Sequence, residues 1–325
     1  MKIRIIHNNG LVTVQDTGRP QWRAAGVPAS GAADISSHRI ANMLAGNSAN
    51  AASLEYSGGR FSAVLLQGGR LAHAGAGGRL LLNGVEQPGQ RTILAPAGAL
   101  LEIRPRQEGN FSYLATFGGW NVPEVLDSRS TCIVAEFGGL EGRSLRSGDM
   151  LEAAMPAEHD LSCVWTSPWR AGEEPAVKNN ETTIRVLPGP ESDRWDADAR
   201  LRFFETPFTV GRRRDRMGVR LEGHFIPAKN AAMLSAAVLP GTIQVPPDGH
   251  PIVLMADAQT TGGYPRIAQV IAADLPLFAQ IAPGGKVFFQ ETGIEEAEHL
   301  RLEQEKVMRK MQLALRFKMQ EYAIR

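Results

Sequence analysis

The sequence predicts a mainly β protein of barrel or sandwich type, finished by one long C-terminal helix. Three observations carry this. Glycine and proline number 34 and 20, too many for a helical bundle, and they fall between short apolar runs in the manner of strands separated by turns. The two halves of the chain share a loose order of polar turns and paired glycines. Residues 295–322 contain neither glycine nor proline and carry an apolar residue at helical spacing.

Taken in order, Val64–Leu66, Thr92–Leu94, Leu100–Ile103 and Thr183–Leu187 are the clearest strand cores. Ser36 to Leu44 is a first short helix, with Ser36 as a cap and Ile40, Met43 and Leu44 on one side. Pro246-Pro247-Asp248-Gly249 is a tight turn, because proline presets φ and glycine accepts φ above zero. Pro251 to Met255 is a short buried strand that delivers Asp257, Gln259, Thr260 and Thr261 onto a loop bent by Gly262 and Gly263. Pro265 to Ala273 reads as a second short helix. The last helix, Glu295 to Tyr322, presents Leu300, Val307, Met311, Leu315 and Tyr322 on one side and extends about 40 Å. It either braces the domains or packs on a partner subunit. A weak linker, Ser167 to Glu181, divides the chain into domains at 1–170 and 182–292, with the helix at 294–325. The repeated features are Gln15-Asp16-Thr17-Gly18-Arg19 against Asp215-Arg216-Met217-Gly218, and Gly138-Gly139 with Gly148-Asp149 against Gly262-Gly263 with Gly284-Gly285. Two copies of one barrel would produce that order.

Composition excludes several functions. Lys+Arg total 35 and Asp+Glu 34, so no overall field favours nucleic acid or a membrane surface. No apolar run reaches the roughly 20 residues needed to span a bilayer, and the N-terminus lacks the apolar core of a signal peptide. Two cysteines without a CxxC pair suit a reducing, cytoplasmic setting. Cys132 is either a nucleophile or, on the better reading, a buried apolar side chain. There is no GxxxxGK[ST] loop, GxSxG elbow or HExxH motif. The seven histidines show no metal-ligand spacing, so no metal site is expected; His250 reads as a surface-turn histidine.

What remains is a set of polar turns. In Gln15-Asp16-Thr17-Gly18-Arg19, the carboxylate accepts N–H groups and the arginine clamps an anion, or the two simply pair. Asp34, in Ser30-Gly31-Ala32-Ala33-Asp34, is placed to cap the first helix. Ser128, Arg129, Ser130 and Thr131 offer three hydroxyls and a cation, either a phosphate or oxyanion cradle or hydroxyls that satisfy strand ends. In Arg212-Arg213-Arg214-Asp215-Arg216, a solvated basic face explains most residues and Arg216 is the exception.

The blocks QDTGR, SGAAD, SRST, GGLEGRSLRSGDML, VLPGP, RDRMGVRLEG, PGTIQVPPDGHPIVLMADAQTTGGYP and ADLPLFAQ occur together in this order. In them the chain resembles, over nearly its whole length, the biotin-dependent carboxyltransferase family. That family includes the second subunit of allophanate hydrolase, the carboxyltransferase portion of urea carboxylase, the Kip-type antikinase antagonist and the C-type subunit of 5-oxoprolinase. Length and the charged C-terminal helix are most similar to the last group. The resemblance implies two cyclophilin-like β-barrels related by pseudo-symmetry. It also implies a cyclophilin-like partner, the B-type subunit, with an A-type subunit completing an enzyme that opens 5-oxoproline to glutamate at the expense of ATP. Opening that unstrained lactam needs coupling, and phosphorylation of its oxygen is one way to supply it. With no nucleotide motif in the chain, ATP is expected on a partner or at an interface. Biotin enters through the family name only, since the chain has no carrier motif.

The resemblance implies catalytic roles for Asp257, Arg216, Asp16 and Arg129. The two aspartates would orient a lactam or urea-like N–H, and the two arginines would stabilise negative charge. Gln15, Arg19, Asp34, Ser128, Ser130, Thr131, Arg220, Gln259, Thr260 and Tyr264 would bind the small polar substrate. One departure is His73, which stands in Leu71–Gly78 where a small apolar residue is usual and alters the pocket expected in the first barrel. Two other readings stand beside the lactam-opening one: a regulatory antagonist that binds a kinase-inhibitor partner, and a carboxyltransferase component that processes urea or allophanate.

Overall fold

Alternation of side chains builds the first sheet. In strand Lys2–Asn8, Ile3 and Ile5 are buried while Arg4 and Ile6 face outward, the period of two that one covered face requires. The computed structural model describes residues 1–155, 162–172, 181–229 and 233–322, and these divide into two units. Unit 1 comprises Met1–Gly18, Asp34–Ala176 and Glu305–Arg325, and unit 2 comprises Arg19–Ala33 and Val177–Gln304. The linker expected at Ser167–Glu181 lies largely outside the described residues.

Unit 1 holds two six-stranded antiparallel sheets. One runs Met150–Glu152, Lys2–Asn8, Phe61–Gln67, Leu100–Pro105, Gly78–Leu82, Val85–Glu86, and the other Trp165–Thr166, Thr92–Ala95, Gly69–Ala74, Ser112–Thr116, Ser53–Ser57, Leu11–Gln15. Ile3, Ile5, Leu54, Phe61, Leu71, Leu101, Ile103, Leu114 and Trp120 from both sheets form one buried core. Helix α1 (Ile35–Ala45) is capped by Asp34, whose carboxylate accepts from the Ser37 amide at 2.9 Å and the Ser37 hydroxyl at 2.6 Å. Ser36, the capping candidate at the helix start, lies inside the first turn instead. An aspartate one residue ahead of the first turn reaches the free N–H groups better than a serine within it. Gly46 closes the helix at φ 87°, the left-handed conformation that glycine adopts without strain.

Unit 2 contains a closed barrel of seven strands, in the order Glu181–Pro188, Arg266–Val270, Thr242–Gln244, Ile252–Leu254, Gly218–Glu222, Phe208–Arg214, Lys286–Glu291. Closure comes from the parallel pairing of Glu181–Pro188 with Lys286–Glu291. The chain therefore is mainly β, as its composition predicts. Helix α2 (Ala197–Glu205) covers this barrel through Phe203, which stacks on Phe289 at 4.8 Å.

The helix expected at Pro265–Ala273 is not formed. Arg266–Val270 is a strand, paired on one side with Glu181–Pro188 and on the other with Thr242–Gln244. Apolar spacing in a nine-residue window fits either period, and two flanking strands that satisfy both edges of the backbone decide for the sheet. The helix comes later, as α3 (Leu275–Gln280), with Pro276 in its first turn. Asp274 precedes it but serves Arg185, accepting from the backbone N at 2.8 Å, Nε at 2.9 Å and Nη2 at 2.6 Å.

Helix α4 (Ile294–Glu321) follows the sequence reading closely. In unit 1 its Leu315 and Met319 are buried, and Glu305 pairs with both Nη atoms of Arg39. Among the described residues no helix is long and apolar enough to cross a membrane.

Candidate functional site

Asp16 directly follows strand Leu11–Gln15 in unit 1 and organises the loop that carries Ser128–Thr131. Its Oδ1 accepts from the Gly18 amide at 2.8 Å, the Ser128 hydroxyl at 2.7 Å and the Ser130 hydroxyl, while Oδ2 accepts from the Arg129 amide at 2.6 Å. The Ser130 hydroxyl in turn accepts from the Asp16 amide at 2.9 Å. Asp16, Ser128, Ser130 and Thr131 are all buried. A carboxylate accepting this many hydrogen bonds is fixed in place and direction, a geometry suited to positioning the loop.

The remaining groups of this loop are committed as well. Thr131 donates its hydroxyl to Val14 O at 3.0 Å, and Gln15 donates Nε2 to Thr131 O at 3.1 Å and Thr13 Oγ1 at 3.0 Å. The three hydroxyls read as a possible cradle thus satisfy strand ends and the Asp16 carboxylate. Arg129 sends its side chain outward to Glu124 at 3.1 Å. The loop's shape depends on tight glycines: a Cβ on Gly139, at φ 55°, would lie 1.9 Å from Thr131 Oγ1. Cys132 is fully buried, the structural reading of that residue.

Sequence reasoning missed a second buried cluster in unit 1. Tyr113 donates its hydroxyl to Glu55 Oε2 at 2.7 Å and accepts the Asp34 amide at 2.8 Å. Burial and the two carboxylates drive the Tyr113 pKa well above its usual value. His38 Nε2 faces the Ala49 carbonyl at 3.1 Å and Nδ1 faces the Ser53 hydroxyl at 2.8 Å. A carbonyl only accepts, so the Ala49 contact places the hydrogen on Nε2 and leaves Nδ1 to accept, while Asn42 Nδ2, 3.2 Å from Nε2, donates to the Ala51 carbonyl at 2.9 Å. Burial lowers the His38 pKa to about 4, and the ring is neutral. The available signal was Glu55, a carboxylate between Leu54 and Tyr56 in an otherwise buried strand. His73, the departure from the family pattern, is likewise buried, its pKa lowered to about 3 by desolvation and by Arg106.

In unit 2 the structure joins two of the candidate residues directly. Arg216 Nε lies 2.8 Å from Asp257 Oδ2 and Nη2 lies 3.0 Å from Oδ1, with side chains 3% and 0% exposed. The backbone prepares this pair. Asp257 N donates to Arg216 O at 2.8 Å, and Met255 N donates to Met217 O at 2.9 Å, so the loop after Ile252–Leu254 is zipped to the turn before Gly218–Glu222. Arg216 Nη2 also donates to Gly31 O at 2.6 Å. Planar, bidentate pairing is the strong form of an Arg–carboxylate contact and fixes the direction of the guanidinium.

Other candidates lie apart from this pair. Arg220 pairs with the exposed Asp248, whose pKa it lowers. Gln259 and Thr260 are half-buried and Tyr264 is exposed; Thr260 O accepts from Val238 N at 3.0 Å and Tyr264 O from Gln244 Nε2 at 3.2 Å. Arg19 is fully buried, its amide donating to Ala29 O at 2.7 Å. Asp34 is the α1 cap. The turn Pro246–Gly249 forms as read, with Gly249 N donating to Pro246 O at 2.9 Å.

Residues 25–291 match the family model described as carboxyltransferase domain, subdomain A and B. The chain belongs to this carboxyltransferase-domain family. A protein of Escherichia coli named as the C-type subunit of 5-oxoprolinase is 39% identical to it over 307 residues, 94% of this chain and 96% of that protein. One of the same name from Haemophilus influenzae is 34% identical over 304 residues, covering 93% and 95%. Among solved structures, the urea amidolyase of K. lactis superposes with a TM-score of 0.87 at 26% identity, over 95% of this chain. The chain corresponds to 20% of that much longer protein. Carboxyltransferase-domain members thus occur both as proteins of this size and as segments of larger enzymes.

Proposed function

We propose that this chain is the C-type subunit of a cytoplasmic, ATP-dependent 5-oxoprolinase that opens 5-oxo-L-proline to L-glutamate together with its A-type and B-type subunits. The observation that carries the reading is its end-to-end similarity, above 30% identity, to two proteins that bear that subunit name. The urea amidolyase likeness supports urea or allophanate as the alternative substrate. It is more distant in sequence and concerns one segment of a larger protein. Function resides in the site and not in the fold, so the two are separated by turnover. A regulatory antagonist of a kinase inhibitor is the third reading, and it predicts partner binding without turnover.

In this proposal the unit 2 pair is the chemical centre. Arg216 supplies positive charge toward oxygen that becomes negative as the amide is activated and opened, the electrostatic contribution that weighs most in such reactions. Asp257 acts through Arg216 by fixing its plane. Asp16 positions the Ser128–Thr131 loop. Arg129 keeps its assignment as a catalytic, charge-stabilising residue, and Gln15, Arg19, Asp34, Arg220, Gln259, Thr260 and Tyr264 keep theirs as substrate-binding residues. We assign ATP to a partner subunit or an interface, because the hydroxyls of Ser128, Ser130 and Thr131 are spent on Asp16 and Val14 and do not fit a phosphate cradle. A biotin reaction would need a separate carrier. We also read unit 1, with its paired sheets, as an opened counterpart of the unit 2 barrel, the two being cyclophilin-like copies.

The test is ATP-dependent glutamate release by the assembled complex with Asp257→Ala in place of the native chain. Full activity with normal folding would remove Asp257 from the site; loss of activity supports the assignment.

A further inference from the structure

Ser30 combines two costs that a folded chain normally avoids. Its backbone has φ 53°, the left-handed region that non-glycine residues rarely occupy and that is held only when the surroundings demand it. Its hydroxyl is buried without a hydrogen-bond partner, in a residue 7% exposed. A buried hydroxyl left unsatisfied opposes folding. Neither cost is needed for the turn itself: Gly31 follows at φ 89°, and a glycine at position 30 would relieve the first cost and remove the second.

The same residue is wired to the Arg216–Asp257 pair by its backbone. Ser30 N donates to Ala256 O at 3.0 Å, immediately before Asp257, and the next carbonyl, Gly31 O, accepts Arg216 Nη2 at 2.6 Å. All these residues belong to unit 2. Strain and an unspent hydroxyl therefore fall on one residue, held on both sides against the ion pair. Such outliers point to function when they sit beside a candidate site.

We propose that the Ser30 hydroxyl is a substrate-binding group, forming a hydrogen bond to the small amide that the Arg216–Asp257 centre serves. This rests on the lactam-opening reading and adds a residue to it. A hydroxyl both donates and accepts, so it suits a lactam, which presents a carbonyl oxygen and an N–H side by side. The backbone bonds to Ala256 and Arg216 fix the Cα, while rotation about χ1 redirects the oxygen without disturbing them. The role is binding; no covalent step is assigned to Ser30.

The experiment compares Ser30→Ala and Ser30→Gly with the native chain in the complex assembled with the A-type and B-type subunits. Steady-state kinetics of glutamate formation from 5-oxoproline and thermal unfolding of the isolated chain are the readouts. The proposal predicts Tm unchanged or raised in both variants, more so for glycine, with KM for 5-oxoproline raised about tenfold and kcat little changed, as for a contact made equally in ground and transition states. Unchanged kcat/KM, a fall confined to kcat, or a lowered Tm in both variants would each overturn it, the last by making the hydroxyl structural. A native complex that neither turns over nor binds 5-oxoproline, measured by calorimetry, would instead defeat the lactam reading and this proposal with it. Native turnover with undiminished variants defeats the Ser30 assignment alone.

Discussion

Asp257 has both oxygens on one guanidinium, and this makes the residue testable in two separable ways. Asp257→Ala leaves Arg216 buried without its carboxylate, at a cost of about 3–5 kcal/mol. The double change Arg216→Met with Asp257→Leu replaces the pair by apolar groups and recovers most of that stability. If the pair serves only the fold, the double variant also recovers turnover; if it is the chemical centre, the variant stays inactive. Chemical denaturation and glutamate release, measured on the same preparations, decide the point. His38 sets a pH dependence of stability. Its pKa is about 4 in the folded chain against roughly 6.5 when unfolded. The unfolded state therefore takes up the proton first as pH falls. Stability is fully present above pH 6.5 and declines by about 3 kcal/mol by pH 4. His73, with a pKa of about 3, adds to the decline in the same direction. Urea titrations across this range should show a markedly shallower fall for His38→Gln, and an identical fall would contradict the assignment.

At the scale of elements, the irregular loop after Thr116 is the most exacting. It is held by Asp16 and by glycines in tight places. Gly139→Ala would drive a Cβ to 1.9 Å from Thr131 Oγ1 at a φ of 55°, so it should destabilise unit 1 by more than the roughly 1 kcal/mol typical of a surface glycine change. A thermal melt of the variant checks this. Helix α4 depends on its buried face: Leu315→Ala should cost about 2–4 kcal/mol, whereas Leu313→Ala, at an exposed position, should cost under about 0.5 kcal/mol. Equal losses would show that the helix packs differently. Periodicity made these elements legible to different degrees. α4 could be read almost to the residue because 28 residues give the 3.6 period many repeats. Arg266–Val270 could not, because five residues carry no decisive period and its neighbours are more than 20 positions away along the chain. The Arg216–Asp257 pair was legible as two polar turns, but their meeting depends on backbone zippering that no local pattern encodes. The Glu55–Tyr113–Asp34 bonds depend in the same way on the pairing of Ser53–Ser57 with Ser112–Thr116.

For the whole molecule, the central claim is membership in a multi-subunit 5-oxoprolinase. The chain's charge is nearly balanced, with a formal net of +1, so partner recognition is expected to depend on shape and local contacts and to be weakly sensitive to salt. The measurement that tests the claim most directly is glutamate formation from 5-oxoproline with ATP, using this chain with its cognate A-type and B-type subunits and omitting each in turn. The expected result is turnover only when all three are present, with none from this chain alone. Turnover that persists without this chain, or none from a stable three-component complex, would contradict it.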